Sequence, residues 1–291
     1  GTGLAWPMSA AQTHSPAWGG RRLLDALDVT DLDTFDPRPG WRRHADDDVL
    51  TIPVGAPVDA PDSTVSIELG DHANVALCVG ITGKTTALQS LALSVCTRYP
   101  PTRVQLAIAD TQNGIAANAT ARPPHVVAHY AGYRRAADPP ANWDTWCTQV
   151  ETALNERAGQ PQPELLVVVD AVDELLGSHP QVAATLQRIA DEGRDKRVRL
   201  LMSSTEQTST FAVGARVGRP VEATSDVVIA LRTATAQTSI DALGGPQAWQ
   251  LPMSPPGLGY VRPRDGAITG PVRLFTAADV APALSSRLMT I

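Results

Sequence analysis

The sequence contains no apolar run that approaches the roughly 20 residues needed for a transmembrane helix. Residues 1–20 also lack the basic and apolar regions of a secretory signal. Only three cysteines occur, at Cys78, Cys96 and Cys147, and they show no metal-ligand spacing, so we expect buried free thiols. These absences leave two alternatives, a cytosolic protein or a segment whose membrane anchor lies outside it.

Positive charge is also scarce, since the 291-residue chain carries a net charge of −6 at pH 7. No global basic field would attract nucleic acid, and this argues against a DNA-binding function. The hydrophobic content of 43% is sufficient for a packed core. A chain of this length is compatible with one large α/β domain carrying an appendage, or with two small domains.

The hydrophobic pattern predicts strands that alternate with helices. The segment 165–170 is apolar throughout and ends in an acid, which is typical of a parallel sheet covered on both faces. Residues 50–55 and 64–69 predict a small β-hairpin ahead of the main sheet. The other predicted strands are 75–79, 104–109, 126–127, 198–202 and 227–231. The predicted helices are 23–32, 85–99, 142–157 and 181–196.

The segment 75–86 has the layout of a phosphate-binding loop, with a buried strand, a glycine turn and a Lys-Thr pair that opens a helix. The regular pattern is G-x-x-x-x-G-K followed by Ser or Thr. Here the first glycine stands three residues before the second rather than five, and Cys78 occupies the expected position. Alternatively, the glycines only form a strand-to-helix turn and the lysine is solvated. The predicted nucleotide-binding residues are Gly80, Ile81, Thr82, Gly83, Lys84, Thr85 and Thr86.

Asp170 closes the apolar strand 165–170, where P-loop ATPases keep the acid that helps to hold Mg²⁺. Thr85 would supply the second protein oxygen for the metal. A plain turn-forming role for this Asp is the alternative. Ala171 follows and has no proton-accepting group, and the displacement of Asp173 and Glu174 makes them poor substitutes for a catalytic base.

Many segments along the chain resemble the FtsK/SpoIIIE-type ATPases, and within them the EccC ATPase modules of type VII secretion systems. The resemblance covers roughly residues 23–275. Among the ATPase modules of EccC, the first is the one that this chain resembles most. The segments that carry it are 50–55 (L-x-V-P-I-G), 80–85 (G-x-T-G-S-G-K, with Ser-Gly absent), 110–114 (D-F-K-G-G), 124–126 (P-H-V), 166–176 (V-V-V-D-E-F-x-E-L-L), 193–204 (G-R…L-L-L-A-S), 230–233 (L-R-T), 243–252 (L-G-x-x-D-A-x-x-L-P) and 256–260 (P-G-x-G-Y).

The departures from the family pattern all affect the nucleotide site. The loop is short, Ala171 stands at the catalytic Glu position, Thr205 at the sensor Gln position, and Gln112 replaces a Lys. Loss of one positioned base typically slows such a reaction by factors of roughly 10² to 10⁴. We therefore predict a degenerate module that binds nucleotide weakly or not at all, with no intact catalytic residue.

Two arginines in matching segments, Arg194 and Arg232, are candidate arginine fingers, which stabilise charge on a transferred phosphoryl group. A role in surface or intermodule salt bridges is the alternative for both. We expect Trp143 and Trp146 to lie in the core, because they share one helical face. His125 and His129 have no partners at ligand spacing, so we predict no metal site of their own.

The resemblance implies a P-loop NTPase fold of the RecA/FtsK kind, α/β, with a mostly parallel sheet covered by helices on both faces and a small N-terminal β element. The predicted divisions are a flexible segment (1–22), a helix and hairpin (23–70), the ATPase core (71–280) and a tail (281–291).

The resemblance also implies the location, the ligands and the partners of the protein. The implied location is the cytoplasmic side of the cell membrane, with any membrane anchor outside this segment. ATP and Mg²⁺ are expected if the site is competent, and no cofactor otherwise. The implied partners are neighbouring ATPase modules, small helical-hairpin secretion substrates and membrane components of the secretion complex. An active FtsK-like DNA translocase and a scaffold without a nucleotide role remain the alternatives.

Overall fold

A computed structural model describes residues 20–111, 123–131, 142–157, 163–205, 210–213, 216–220 and 225–289. Its strands are β1 (Leu50–Pro57), β2 (Val65–Leu69), β3 (Val75–Val79), β4 (Val104–Asp110), β5 (Val126–Ala131), β6 (Glu164–Asp170), β7 (Val198–Ser204), β8 (Thr210–Val213), β9 (Arg216–Pro220), β10 (Val227–Leu231), β11 (Leu258–Arg262) and β12 (Thr269–Leu274). Its helices are α1 (Leu23–Ala26), α2 (Arg38–Arg43), α3 (Lys84–Arg98), α4 (Trp143–Glu156), α5 (Val172–Ser178), α6 (Val182–Glu192), α7 (Ala236–Leu243) and α8 (Ala281–Met289), with a 3-10 turn at Pro246–Ala248.

Ten of these strands form one sheet in the order β2-β1-β12-β11-β10-β3-β7-β6-β4-β5. The six strands from β10 to β5 are parallel, and the remaining four join the sheet antiparallel. β8 and β9 pair with each other in a separate antiparallel sheet. The predicted mostly parallel α/β fold is confirmed.

The parallel strands are buried on both faces, as their continuous apolar sequences predict. One face packs against a cluster that includes α3 and α8, and the other against α4, α5 and α6. Trp143 and Trp146 lie in the second cluster with their rings edge to face at 6.2 Å, so the prediction that they are core residues is confirmed. Cys78 and Cys96 are buried free thiols, also as predicted. Burial raises the pKa of Cys78 to about 12, so its thiol stays protonated.

The N-terminal hairpin does not stand apart from the main sheet. β1 and β2 pair antiparallel as predicted, but β1 also pairs with β12, so the hairpin extends the main sheet at one edge. β11 and β12 were not predicted. β11 has two buried positions and β12 has one, so neither shows the continuous apolar pattern of the parallel strands, and β12 also contains a glycine and a proline, which are unusual within strands.

Two predicted helices are shorter than their patterns suggest. The helix predicted at 23–32 ends at Ala26, because Asp28 adopts a left-handed φ of 57° and the N–H of Val29 turns back to the carbonyl of Leu24. The helix predicted at 181–196 ends at Glu192. A Cβ atom at Gly193 would lie 2.3 Å from the carbonyl oxygen of Val198, so only glycine allows the chain to turn there into β7.

The segment predicted as a C-terminal tail instead contributes to the fold. α8 spans most of it, and Ala281, Leu284 and Leu288 have no exposed surface. The helix therefore packs as part of the core. No helix in the described part of the chain combines the length and apolarity that crossing a membrane requires.

A buried ion cluster holds together the beginnings of β4, β6 and β7. The carboxylate of Glu164 lies 2.9 Å from Nη2 of Arg199 and 3.3 Å from Nη1 of Arg103, and all three side chains are at most 6% exposed. Arg199 also donates to the carbonyl oxygen of the Asn74 side chain and contacts the exposed Asp71. The Glu164 carboxylate therefore compensates two arginines that have little access to water.

We predict that Glu164→Ala lowers the free energy of unfolding by about 3 to 5 kcal/mol, because it leaves buried guanidinium groups without their counterion. Asp71→Ala is the matched control. It removes another partner of Arg199, but one that is 87% exposed, so the loss should be about 1 kcal/mol or less. Urea unfolding of both variants measures the difference. Equal losses would contradict the assignment of Glu164 as the central counterion.

Candidate functional site

The phosphate loop runs from Gly80 to Gly83 between β3 and α3, at the carboxyl edge of the parallel strands. Gly83 has a φ of 82°, which disfavours any side chain. A Cβ atom at Gly80 would lie 2.7 Å from Cβ of Leu231, so this position also requires glycine. Cys78 lies inside β3, opposite Ser203 of β7, and is not part of the loop.

Backbone hydrogen bonds tie the loop to both neighbouring strands. The N–H of Gly80 donates to the carbonyl of Ser204 at 3.1 Å, and the N–H of Ile81 donates to the carbonyl of Arg232 at 2.9 Å. These bonds fix the loop between the ends of β7 and β10. They also engage two N–H groups that could otherwise face a phosphate.

The N-terminus of α3 provides further donors. The helix begins at Lys84, so the N–H groups of Lys84, Thr85 and Thr86 have no acceptor within it, and Gly83 supplies no side chain to cap them. Such N–H groups, together with the helix dipole, attract anions. The first turn of α3 is therefore suited to hold a phosphate.

The side chain of Lys84 folds back over its own loop. Its Nζ donates to the carbonyl of Gly80 at 2.8 Å and to Oγ1 of Thr205 at 3.1 Å. The alternative of a solvated surface lysine is thus wrong. Thr205, at the predicted sensor position, lies directly beside the lysine.

Asp170 ends β6 with no exposed surface, and both of its carboxylate oxygens are engaged. Thr85 donates to Oδ2 at 2.8 Å, and Ser203 donates to Oδ1 at 2.6 Å. The structure therefore brings together the two residues predicted as metal ligands, Thr85 and Asp170. Burial raises the pKa of Asp170, while the hydrogen bonds from Ser203 and Thr85 act in the opposite direction and favour the charged form.

Ala171 is buried and adopts a left-handed conformation with φ 50° and ψ 56°. Its N–H donates to Oγ of Ser203 at 2.8 Å, so the same hydroxyl holds both the acid and the residue that follows it. The methyl group offers no acceptor for a water proton.

Asp173, which its displacement along the chain led us to expect as a poor substitute for the catalytic base, contacts the site. It lies in the first turn of α5, and its Oδ2 accepts the N–H of Thr205 at 2.9 Å. Sequence reasoning missed this contact because it joins residues from two different strand ends. The only available signal was the acidic character of the residues that follow Asp170.

The two candidate arginine fingers lie at opposite ends of the parallel strands, Arg232 at the carboxyl ends and Arg194 at the amino ends. Arg232 follows β10 beside the phosphate loop, and its guanidinium donates to the carbonyl of Leu251. Arg194 precedes β7, at the edge away from the loop, and lies 3.6 Å from the carboxylate of Asp226. Arg194 therefore forms a salt bridge within this chain. Of the two arginines, only Arg232 lies where it could contact a phosphate bound at the phosphate loop of this chain.

Asp110 and His129 lie on β4 and β5, the two strands beyond β6 in the sheet order. Asp110 ends β4 opposite Asp170, with its Oδ2 3.9 Å from Nε2 of His129. The described ranges contain no group of three His, Cys, Asp or Glu side chains that could hold a metal ion. Gln112, at the position of a family lysine, lies outside the described residues.

The residues present fit a magnesium-bound phosphate chain. Lys84 and the N-terminus of α3 supply donors for phosphate oxygens, and the Thr85–Asp170 pair supplies the oxygen ligands that Mg²⁺ takes in P-loop proteins. With two N–H groups engaged in anchoring the short loop, fewer donors remain for the phosphates. The arrangement contains the residue types of a nucleotide site, whereas Ala171, at the usual position of the catalytic carboxylate, has no proton acceptor.

The sheet, the phosphate loop and the strand-end acid define a P-loop ATPase type of fold. The model of the FtsK/SpoIIIE family matches residues 40–139. The ESX-4 secretion system protein EccC4 of Mycobacterium tuberculosis is 27% identical over 300 residues, which covers 90% of this chain and 24% of that protein. The predicted resemblance to the FtsK/SpoIIIE-type ATPases, and to EccC among them, is confirmed.

Solved structures show the same fold. The cytoplasmic domain of the type VII secretion ATPase EccC from Thermomonospora curvata superposes with a TM-score of 0.70 at 22% identity, covering 94% of this chain and 35% of that one. ATPases 2 and 3 of the same protein, in complex with a signal sequence peptide, give a TM-score of 0.62 at 19% identity, covering 84% and 47%. The chain thus spans about a quarter of the length of EccC4 and about a third of the solved EccC domain.

We predict that Ser203→Ala lowers the free energy of unfolding by about 1.5 to 3 kcal/mol, the range for a hydrogen bond to a charged group. The matched control is Ser94→Ala, because Ser94 is equally buried but donates to a neutral backbone carbonyl inside α3. That loss should stay near or below about 1 kcal/mol. Thermal unfolding at pH 7 compares them, and a smaller effect at Ser203 than at Ser94 would contradict the proposed stabilisation of the Asp170 carboxylate.

Proposed function

We propose that this chain is an ATPase-type module of an EccC-like type VII secretion motor, with a reduced nucleotide site that hydrolyses ATP weakly or not at all. One observation carries the proposal. The phosphate and metal half of the site is assembled around Lys84, Thr85 and Asp170, while the usual base position holds the methyl group of Ala171. The similarity to EccC proteins over nine tenths of the chain supports the assignment to secretion.

Such a module would act mainly through its contacts with other parts of the motor. A ligand that binds two conformations with different affinity shifts the balance between them, and this does not require turnover. We propose neighbouring ATPase modules as its first partners, because the relatives are several times longer than this chain. We also propose small helical-hairpin substrates and membrane components of the secretion complex, since a related EccC fragment was solved with a signal sequence peptide.

DNA translocation is the weaker proposal for this chain. A translocase needs basic surfaces along its pore, and its DNA affinity falls steeply with salt. The net charge of −6 supplies no general attraction for a polyanion. The named relatives are secretion proteins.

Nucleotide binding should depend on Lys84. We expect calorimetric titration with Mg·ATP to give weak binding to the wild-type chain and no measurable binding to Lys84→Ala, because that change removes the only charged donor of the loop. Lys196→Ala, whose side chain is half-buried and paired with Glu192 before β7, serves as the control and should bind like the wild type. Equal binding by the wild type and Lys84→Ala would exclude the loop as the phosphate site.

Turnover should be limited by the missing carboxylate. We expect Ala171→Glu to raise the rate of ATP hydrolysis by a factor on the order of 10² or more, the typical contribution of a positioned general base. Release of inorganic phosphate under saturating Mg·ATP measures the rate, with Ala171→Gln as an uncharged control of similar size. If the wild type hydrolyses ATP as fast as Ala171→Glu does, the proposal of a degenerate catalytic site is wrong.

A further inference from the structure

Asp173 stands at a position that the family pattern leaves open. Its Oδ2 accepts the N–H of Thr205 at 2.9 Å, and Oγ1 of the same threonine accepts a hydrogen bond from Nζ of Lys84 at 3.1 Å. The carboxylate of Asp173 is thus connected to the phosphate-binding lysine through a single residue. It approaches from the first turn of α5, on the side of the site where Ala171 presents only a methyl group.

Among the described residues, the second oxygen of this carboxylate has no hydrogen-bond partner. Oδ1 of Asp173 is buried and accepts no hydrogen bond from any of them, whereas both oxygens of Asp170 are engaged by Thr85 and Ser203. A buried acceptor without a donor is costly, and in a native protein it usually indicates a bound water or ligand. A water molecule at Oδ1 would satisfy this oxygen and would lie near the lysine that binds the terminal phosphate.

We propose that Asp173 orients the attacking water and accepts its proton, in place of the glutamate that is absent at position 171. In this step the water oxygen forms a bond to the γ-phosphorus as the bond between that phosphorus and the bridging oxygen of ADP breaks. The proton of the water passes to the Asp173 carboxylate, which then releases it to the product phosphate or to solvent. This inference rests on the proposed function, since it requires Mg·ATP at Lys84.

A purely structural role for Asp173 makes different predictions. An acid in the first turn of α5 interacts favourably with the helix dipole, and its bond to Thr205 tethers the end of β7. The substitution Asp173→Asn separates the two roles. The amide oxygen of Asn can still accept the N–H of Thr205, so the tether is retained, while the charge and the proton-accepting ability are lost.

The experiment measures hydrolysis of ATP in a single turnover, with the protein in excess. We expect slow but measurable hydrolysis by the wild type and a loss of at least about tenfold in Asp173→Asn, as is typical when a general base is removed. Glu174→Gln is the matched control, because this residue lies on the same helical turn with an exposed side chain. It should hydrolyse ATP within twofold of the wild type. Thermal unfolding checks that all variants are folded.

A second readout does not depend on activity. Because Asp173 would face the γ-phosphate, its charge should disfavour Mg·ATP more than Mg·ADP, and Asp173→Asn should raise the ratio of ATP to ADP affinity about threefold or more. Glu174→Gln should leave the ratio unchanged. If Asp173→Asn changes neither the affinity ratio nor hydrolysis, the inference is overturned and Asp173 serves only to hold the end of β7 through Thr205. Mg·ATP binding without any hydrolysis by the wild type would also overturn it. Absence of Mg·ATP binding in the wild type would instead refute nucleotide use at this site, and with it this inference.

Discussion

The buried carboxylate of Asp170 is the group around which the site is organised. An ionised oxygen pair without exposed surface is stable in a core only when its hydrogen-bond demand is met. Thr85 from α3 and Ser203 from β7 meet it at 2.8 and 2.6 Å. Because Asp170 itself ends β6, this one group joins a helix and two strands at the edge where the phosphate loop lies. Thr85 and Ser203 thus link the first turn of α3 to the ends of β6 and β7.

Much of the fold and half of the site could be predicted from the sequence. The apolar strands of the parallel region are recognisable because burial on both faces removes polar residues from them, and the glycine turn before Lys84 is recognisable because its backbone conformation demands glycine. Contacts between strand ends were not predictable in the same way. The bond between Asp173 and Thr205 joins residues 32 positions apart, and it exists because the sheet places β7 beside β6. The pairing of β1 with β12 was missed for a related reason, since β12 is half exposed and carries a proline.

The site separates two tasks that ATPases usually combine. Holding a nucleotide requires the cradle, the lysine and the metal ligands, and these are mutually consistent here because each is bonded to another part of the site. Cleaving it requires a carboxylate near the terminal phosphate; the usual position holds Ala171 in a left-handed conformation, and the proposed substitute is Asp173 from the next helix. Under the proposed function, nucleotide would act on this module mainly through occupancy, because a ligand shifts a conformational balance according to its concentration and affinity even when turnover is slow.

The position of β12 between β1 and β11 affects how the chain folds as it is synthesised. Residue 55 pairs with residue 274, so β1 has only one of its two neighbours until nearly the whole segment has left the ribosome. Contacts across so long a stretch of chain are slow to form, and domains generally fold as complete units. The exposed edge of β1 must therefore remain unpaired for as long as some 200 further residues are added, at about 5 to 20 residues per second. For that interval the nascent chain carries an open sheet edge, the feature through which partly folded chains pair with one another, until β12 closes the gap.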